Sequence, residues 1–300
     1  VTKVLVIGSD GQLARAIIHS APQQYQISTL NREKLDITKA DSVREAIQQL
    51  TPDLVINGAA YNAVDKAQGE GAADALSINA LGVANLALAS LEVGARLVHF
   101  STDFVFDGRK TSPYLETDAT GPLSIYGASK LCGENICIST SPRNIAIRVC
   151  RLFGPVYQDG AGTGRKPGGN FPALMVRLGK ERESLRVVND QIGSPTYTPD
   201  LAAATWQLIG IIQSGGSGGE GGLFQLSNDG EVSFADYAEE ILRRAQVNCK
   251  IEHVSSAEYG APARRPLYST FSNKKAHSLG VTPLRHWSEA LDEFLRASES

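Results

Sequence analysis

Apolar and polar positions follow two rhythms in the first half of the chain. Short, nearly continuous apolar runs at residues 4–8, 26–30, 53–57, 96–101 and 144–149 read as strands buried on both faces. Between them, residues 12–20, 72–93 and 125–138 read as helices. Val43, Ala46, Ile47 and Leu50 also fall at helical spacing, behind a Thr38-x-x-Asp41 capping box. Strand and helix in turn, with short joints, predict an α/β fold: a Rossmann-type, doubly wound parallel sheet covered on both faces.

The second half is less regular. Residues 155–170 are rich in glycine and read as a long mobile loop and a candidate lid, and residues 213–222 (QSGGSGGEGG) as a flexible surface connection. Helices are expected at 171–180, 199–212 and 233–245, the last behind a Ser233-x-x-Asp236 cap. Trp287, Ala290, Leu291 and Phe294 mark a final amphipathic helix. The expected division is a dinucleotide-binding domain over 1–150, to whose sheet later segments return, and a smaller substrate-binding lobe over 151–300.

Composition narrows the function classes. The 300 residues are 42% hydrophobic and carry 29 basic against 32 acidic side chains, a net charge of −3. A nucleic-acid binder usually shows a basic excess, so no nucleic-acid partner is expected. A chain of this length buries about 75% of its unfolded surface and needs no disulfide or metal to hold it together. The apolar runs are of strand length, which predicts no membrane span, and no export signal precedes the first strand; both point to the cytoplasm. Cys132, Cys137, Cys150 and Cys249 form no CxxC pair, which suits free thiols in a reducing compartment.

Two stretches carry chemistry. Gly8-Ser9-Asp10-Gly11-Gln12-Leu13-Ala14 follows the first strand and opens the first helix. A helix N-terminus offers unpaired N–H groups and about half a positive charge, which attract a pyrophosphate. Gly8 permits the tight turn and Gly11 the close approach of backbone to phosphate. The second strand ends at Asn31-Arg32, where no carboxylate waits for a ribose hydroxyl. That favours NADP(H), with NAD(H) as the alternative. Arg32 would equally serve as a solvated surface residue. Asp36-Ile37 could meet the adenine, and Asp36 could equally be a turn residue.

The second stretch is Tyr126-Gly127-Ala128-Ser129-Lys130, which places a phenol and an ammonium on one helix face. Upstream, Ser101-Thr102-Asp103 ends the fourth strand at the edge where ligands of such sheets sit. Reducing a ketone needs a hydride at carbon and a proton at oxygen. A phenol of ordinary pKa ~10 supplies that proton more readily beside an ammonium. At ~4 Å the charge favours phenolate by up to ~4 kcal/mol, about three pKa units. Thr102 would bridge substrate oxygen and phenol.

With these residues in place, the chain resembles the dTDP-4-dehydrorhamnose reductase family of extended short-chain dehydrogenase/reductases. The likeness spans nearly the whole chain. It rests on Gly11-Gln12-Leu13, residues 59–66 (AAYNAVDK), residues 101–108 (STDFVFDG), Tyr126 to Lys130, Asn170-Phe171, residues 189–196 (NDQIGSPT) and Ala263-Arg264-Arg265-Pro266. The resemblance implies NADPH-dependent reduction of the 4-keto group of a nucleotide-linked deoxysugar, most specifically dTDP-4-dehydro-L-rhamnose to dTDP-L-rhamnose. It implies Thr102, Tyr126 and Lys130 as the catalytic set. Gly8, Gly11, Gln12, Leu13, Ala59, Ala60, Tyr61, Asn79, Ser101, Tyr126 and Lys130 would serve the cofactor, besides Asn31, Arg32, Asp36 and Ile37. Val64, Thr102, Asp103, Asn170 and Arg265 would face the sugar nucleotide. Asp103 could also be a turn residue and Arg265 a surface charge.

Three departures bear on the substrate. Arg151 stands where the family usually has Trp, and the 155–170 loop is long. Gln68 replaces a Glu in a stretch that supports a magnesium-linked dimer in some members, so no metal is expected, while a homodimer stays open. Other readings remain at this stage. A sugar-nucleotide epimerase of the same superfamily is one. A dehydratase would place Glu where Phe104 stands. A non-catalytic subunit, like the regulatory subunit of methionine adenosyltransferase, would have no chemical need for the full catalytic set.

Overall fold

The structure is a computed structural model describing residues 1–155 and 169–299. The chain opens with β1 (Thr2–Ile7), α1 (Gln12–His19), β2 (Tyr25–Leu30), α2 (Ala40–Leu50) and β3 (Leu54–Asn57). Then come α3 (Val64–Ala67), α4 (Ala72–Leu76), a π turn (Ser77–Leu81), α5 (Gly82–Glu92), β4 (Arg96–Thr102), α6 (Ile125–Thr140) and β5 (Ile145–Val149). The rest comprises β6 (Leu152–Phe153), α7 (Phe171–Glu181), β7 (Ser184–Val188), β8 (Ile192–Gly193), β9 (Thr196–Tyr197), α8 (Thr198–Gln213), β10 (Gly222–Gln225), β11 (Val232–Ser233), α9 (Phe234–Arg244), β12 (Lys250–Val254), α10 (Ser256–Tyr259), α11 (Lys274–Ser278) and α12 (Trp287–Glu299).

Six parallel strands form the central sheet in the order β2-β1-β3-β4-β5-β10. The α/β parallel sheet expected from the alternating pattern is present. Val4 and Val6 of β1 join Leu13, Ala14 and Ile17 of α1 and Leu201 and Leu208 of α8 on one face. Leu5 and Ile7 join Val43, Ile47, Val83 and Leu86 on the other. Successive residues feed opposite faces, which is why the strand is apolar throughout. Burying each such side chain contributes roughly 1.5–3 kcal/mol. The chain leaves β1 to build β2 on one side and returns to build β3 on the other. A crevice opens at this reversal, beyond the strands' carboxyl ends.

A separate cluster of Phe153, Met175, Tyr197, Tyr237, Ile241, Trp287, Leu291 and Phe294 forms the core of the C-terminal segments. These segments hold more strand than the sequence pattern predicts. Several are two-residue pairs, too short to leave a periodic signal. The four-residue β10 follows the glycine-rich stretch and extends the central sheet beside β5. The expected lid at 155–170 lies outside the described residues except at 155, 169 and 170.

Other expectations fail for identifiable reasons. Thr38 does not cap α2: its hydroxyl donates to Asp36 Oδ1 at 2.7 Å, and Lys39 becomes the residue before the helix. Ser233 does cap α9, accepting from the Asp236 N–H at 3.1 Å. The helix expected over 72–93 is broken by the π turn. The segment Ala72–Glu92 is, by length and composition, long and apolar enough to cross a membrane, so apolar runs are not confined to strands. It packs on α2 and α6 and buries Val83, Leu86, Ala87 and Ala89, while Leu76, Leu81, Leu88 and Leu91 on its other side are about half exposed.

Candidate active site

A cavity of about 540 Å³ opens beyond β1, β3 and β4 and is closed on its far side by residues of the C-terminal segments. Its first wall is the turn from β1 into α1. Gly8 has φ +68°, and a Cβ there would lie 2.6 Å from the Ala59 nitrogen, so only glycine lets the two loops meet. Gly11 precedes α1 with no side chain capping the helix, and Gly11, Gln12 and Leu13 line the cavity. A Cβ on Gly11 would sit 3.2 Å from the Gly8 carbonyl oxygen, a tight contact that glycine avoids. Gln12 Nε2 is buried with no hydrogen-bond partner. Uncapped helix N–H groups and an orphaned amide donor at one cavity wall fit a dinucleotide pyrophosphate.

The adjoining wall is the loop after β3. Ala59 and Ala60 line the cavity, and two asparagines hold them there. Asn57 Oδ1 accepts from the Ala59 N–H at 3.0 Å, while its amide meets buried His99 Nδ1 at 3.1 Å. Asn79, in the π turn, accepts from the Tyr61 N–H at 2.8 Å and donates to the Tyr61 carbonyl and to Ser129 Oγ. Asn79 therefore clamps the loop to α6 from beneath. The widened π turn is a common device at functional sites. The Tyr61 ring packs on Gly71 and does not line the cavity.

The third wall carries the reactive groups. Ser124 caps α6 by accepting from the Gly127 N–H, and α6 approaches the turn after β4 so closely that a Cβ on Gly127 would lie 2.3 Å from the Phe104 carbonyl. Tyr126 and Lys130 thus reach the cavity beside Ser101, Thr102 and Asp103. The Tyr126 ring meets Phe104 edge-on at 5.4 Å, and its hydroxyl lies 3.5 Å from Asn62 Oδ1. The Ser101 hydroxyl is buried and unpartnered.

The electrostatics differ from the sequence-based expectation. Burial pushes the Tyr126 phenol well above its ordinary value; the Thr102 hydroxyl pulls it down and Asp103 pushes it further up. Burial lowers Lys130 to about 8, with Glu134 opposing. The ammonium donates to the Phe100 carbonyl at 2.5 Å rather than acidifying the phenol. Desolvation outweighs the ammonium here because both groups are almost fully enclosed. So shifted, the phenol carries its proton at neutral pH, and each step upward makes it a weaker acid than the spacing with Lys130 predicts.

Of the expected substrate contacts, Val64, Thr102, Asp103 and Asn170 line the cavity. Asn170 caps α7 and donates to the Gly154 carbonyl at 2.7 Å. Asp103 is engaged by protein: it accepts from Thr102 Oγ1 at 3.0 Å, Ser269 Oγ at 2.8 Å and Cys150 Sγ at 3.3 Å. Arg265 lies off the cavity wall and pairs through both terminal nitrogens with Asp65, at 3.0 and 2.8 Å. Burial raises the Asp65 pKa, but Arg265 and the Ala263 N–H together pull it below its ordinary value.

Beyond β2, Asn31 Oδ1 accepts from the Lys34 N–H and organises a turn. Asp36 is likewise a turn residue, accepting from the Thr38 N–H and hydroxyl, and these bonds hold its carboxyl below the usual range. Ile37 is core, pressed on Gly82. Arg32 is exposed. Asn31, Arg32, Asp36 and Ile37 lie outside the cavity.

Sequence reasoning gave no role to Asn57, Asn62, Phe171, Phe234 or Tyr237, all of which line the cavity, as does Arg151 at the family's usual Trp position. Asn57 was open to discovery as a polar residue ending an apolar strand, the counterpart of Thr102. A metal site was not expected. Among the described residues, Asp236, Glu239 and His253 bring ligand atoms within 4.8 Å of one another on an exposed surface. There Ser233 already donates to Asp236, and Glu239 pairs with His253.

The chain is similar over its whole length to known proteins. The chain is 37% identical over 300 residues to the spore coat polysaccharide biosynthesis protein SpsK of Bacillus subtilis, covering 100% of this chain and 99% of that one. It is 36% identical to a dTDP-4-dehydrorhamnose reductase of Sinorhizobium fredii, covering 96% and 95%. The crystal structure of the Bacillus anthracis dTDP-4-dehydrorhamnose reductase in complex with NADP superposes with a TM-score of 0.88 at 35% identity, covering 98% of this chain and 99% of that one. The RmlD substrate binding domain family matches residues 2–300, and the chain belongs to that family.

Proposed function

We propose that the protein is an NADPH-dependent oxidoreductase that reduces the 4-keto group of a dTDP-linked deoxysugar, converting dTDP-4-dehydro-L-rhamnose to dTDP-L-rhamnose. The observation that carries the reading is the meeting of Thr102, Tyr126 and Lys130 in the one cavity that the uncapped start of α1 also lines. Whole-length similarity to named dTDP-4-dehydrorhamnose reductases, one of them in complex with NADP, supports the same activity and cofactor.

When bound, NADPH supplies the hydride. Gln12, Leu13 and the α1 N-terminus would hold its pyrophosphate, and Ala59 and Ala60 would line its path. Tyr126 gives its proton to the carbonyl oxygen as that oxygen gains negative charge, and a positioned acid of this kind contributes roughly 10²–10⁴-fold in rate. Lys130, anchored on the Phe100 carbonyl, would reach the nicotinamide ribose. Val64 and Asn170 border the sugar. Arg32, exposed where no carboxylate ends β2, favours the 2′-phosphate of NADPH over NADH. A cytoplasmic location and a 1–150 cofactor domain, to whose sheet α8 and β10 return, with a mainly substrate-binding lobe over 151–300, belong to the same reading.

The test is direct. Purified protein given dTDP-4-dehydro-L-rhamnose should oxidise one NADPH per sugar reduced. Folded protein that binds NADPH yet shows no turnover would refute the substrate assignment.

A further inference from the structure

Among the described residues the cations lining the cavity are Arg15, Lys130 and Arg151. Arg15 stands on α1 and Lys130 on α6, with the cofactor and catalytic walls. Arg151, just past β5, belongs with Phe171, Phe234 and Tyr237 to the wall that the C-terminal segments complete. It adopts φ +45°, a left-handed backbone disfavoured for a residue with a Cβ. Its guanidinium donates to the Val232 carbonyl and to the Gln191 carbonyl, each at 2.8 Å, and lies 3.9 Å from the centre of the Phe234 ring. Gly193 leaves room for it, since a Cβ there would lie 2.7 Å from Arg151 Nε.

These partners fix the group without cancelling its charge. Among the described residues, two of its five N–H groups are engaged, and no carboxylate lies within ion-pairing distance. Asp103, on the same cavity, takes its hydrogen bonds from Thr102, Ser269 and Cys150. A guanidinium held in place with donors left over suits an anion with several oxygens, a diphosphate above all.

The reaction says where such an anion lies. In a pyranose, C4 and C1 are at opposite ends of the ring. With the 4-keto carbon at Tyr126, the C1 oxygen and its diphosphate point away from the catalytic wall. Arg265, expected to face the sugar nucleotide, is held by Asp65 off the cavity. We propose that Arg151 binds the diphosphate of the nucleotide sugar and so selects a nucleoside diphosphate over an uncharged nucleoside. The assignment rests on the reductase reading above. The family's usual Trp would give this position a flat wall and no charge; here Phe234 supplies the flat surface behind a cation.

Calorimetric titration of dTDP and UDP against thymidine and uridine, with NADPH bound, tests this on wild type, Arg151→Gln and Arg151→Lys. Wild type should bind dTDP about tenfold or more tightly than thymidine. Arg151→Gln keeps an amide donor for the backbone carbonyls and should lose that advantage, with NADPH affinity unchanged. Arg151→Lys should recover part of it. In turnover, Arg151→Gln should raise KM for dTDP-4-dehydro-L-rhamnose about tenfold while kcat changes less than about threefold, as the loss of uniform binding does. Wild type that binds neither diphosphate better than its nucleoside overturns the proposal without any variant. So does an Arg151→Gln protein that binds NADPH and keeps the full advantage. An advantage confined to UDP leaves the site standing and breaks the dTDP assignment. An Arg151-dependent advantage without turnover leaves the site standing and breaks the reductase reading.

Discussion

The catalytic side of the cavity and the contacts that support it differ in how far apart their parts lie in the chain. The catalytic side is local: Tyr126 and Lys130 are one helical turn apart on α6, and Thr102 ends the strand beside it. The supporting side is assembled from distant pieces. Asp103 is held by Ser269, 166 residues downstream, and Asp65 pairs with Arg265, 200 residues away. Local geometry needs only the fold to be right, whereas distant geometry depends on which partners win a competition for each polar group. Predictions for the first side should therefore be large and specific, and those for the second smaller and shared between partners.

The sharpest way to break that contrast is Tyr126→Phe. It removes the proton and leaves the ring against Phe104. The reduction rate should fall about 10²–10⁴-fold while NADPH affinity changes little. Stopped-flow rates and fluorescence titration with NADPH check this, and a variant within tenfold of wild type would show that the proton comes from elsewhere.

Lys130 tests the same side through stability. Its folded value is near 8 against an ordinary 10.5, lowered chiefly by burial. Between those values the unfolded chain binds the extra proton, so the contribution grows as pH rises from 8 to 10.5 and is lost as pH falls through 8. The full swing is about 3 kcal/mol. Urea denaturation across this window should show wild type gaining stability relative to Lys130→Met, and parallel curves would mean that the amine is not desolvated.

Asn79→Ala tests whether the cofactor loop is held as the local reading requires. Removing the amide strands the Tyr61 backbone groups and costs about 1–3 kcal/mol. NADPH affinity should fall together with stability. A stable variant with normal affinity would mean that Asn57 alone holds the loop.

Legibility in the sequence followed the same division. The apolar run of β1, the glycine turn and the helix after it could be read because each signal spans adjacent residues. So could the Tyr126 and Lys130 spacing. Thr38 was misread because its hydroxyl had two uses, capping α2 or closing the Asp36 turn, and the turn is nearer. β10 escaped because four residues behind a glycine run carry no period. The direction of the Thr102 proton and the charge on the phenol depend on burial, which no spacing reveals. Arg265 was read as facing the sugar nucleotide or as a surface charge; a guanidinium suits a diphosphate, and a carboxylate at Asp65 suits it as well.

That last competition gives the smallest expected effect. The Arg265–Asp65 pair is partly exposed, and such pairs are worth about 0–1 kcal/mol. If the carboxylate holds Arg265 during turnover, Arg265→Ala and Asp65→Ala should each change stability by less than about 1 kcal/mol, and the double variant by no more than either alone. KM for the sugar nucleotide should then move little and alike in both. If Arg265 instead leaves Asp65 to grip the diphosphate, the two variants part company. Arg265→Ala would raise KM by about tenfold or more, as the loss of a charge-assisted contact does, while Asp65→Ala would free the guanidinium and lower it. Steady-state kinetics on the two single variants therefore decides whether this distant pair belongs to the scaffold or to the substrate.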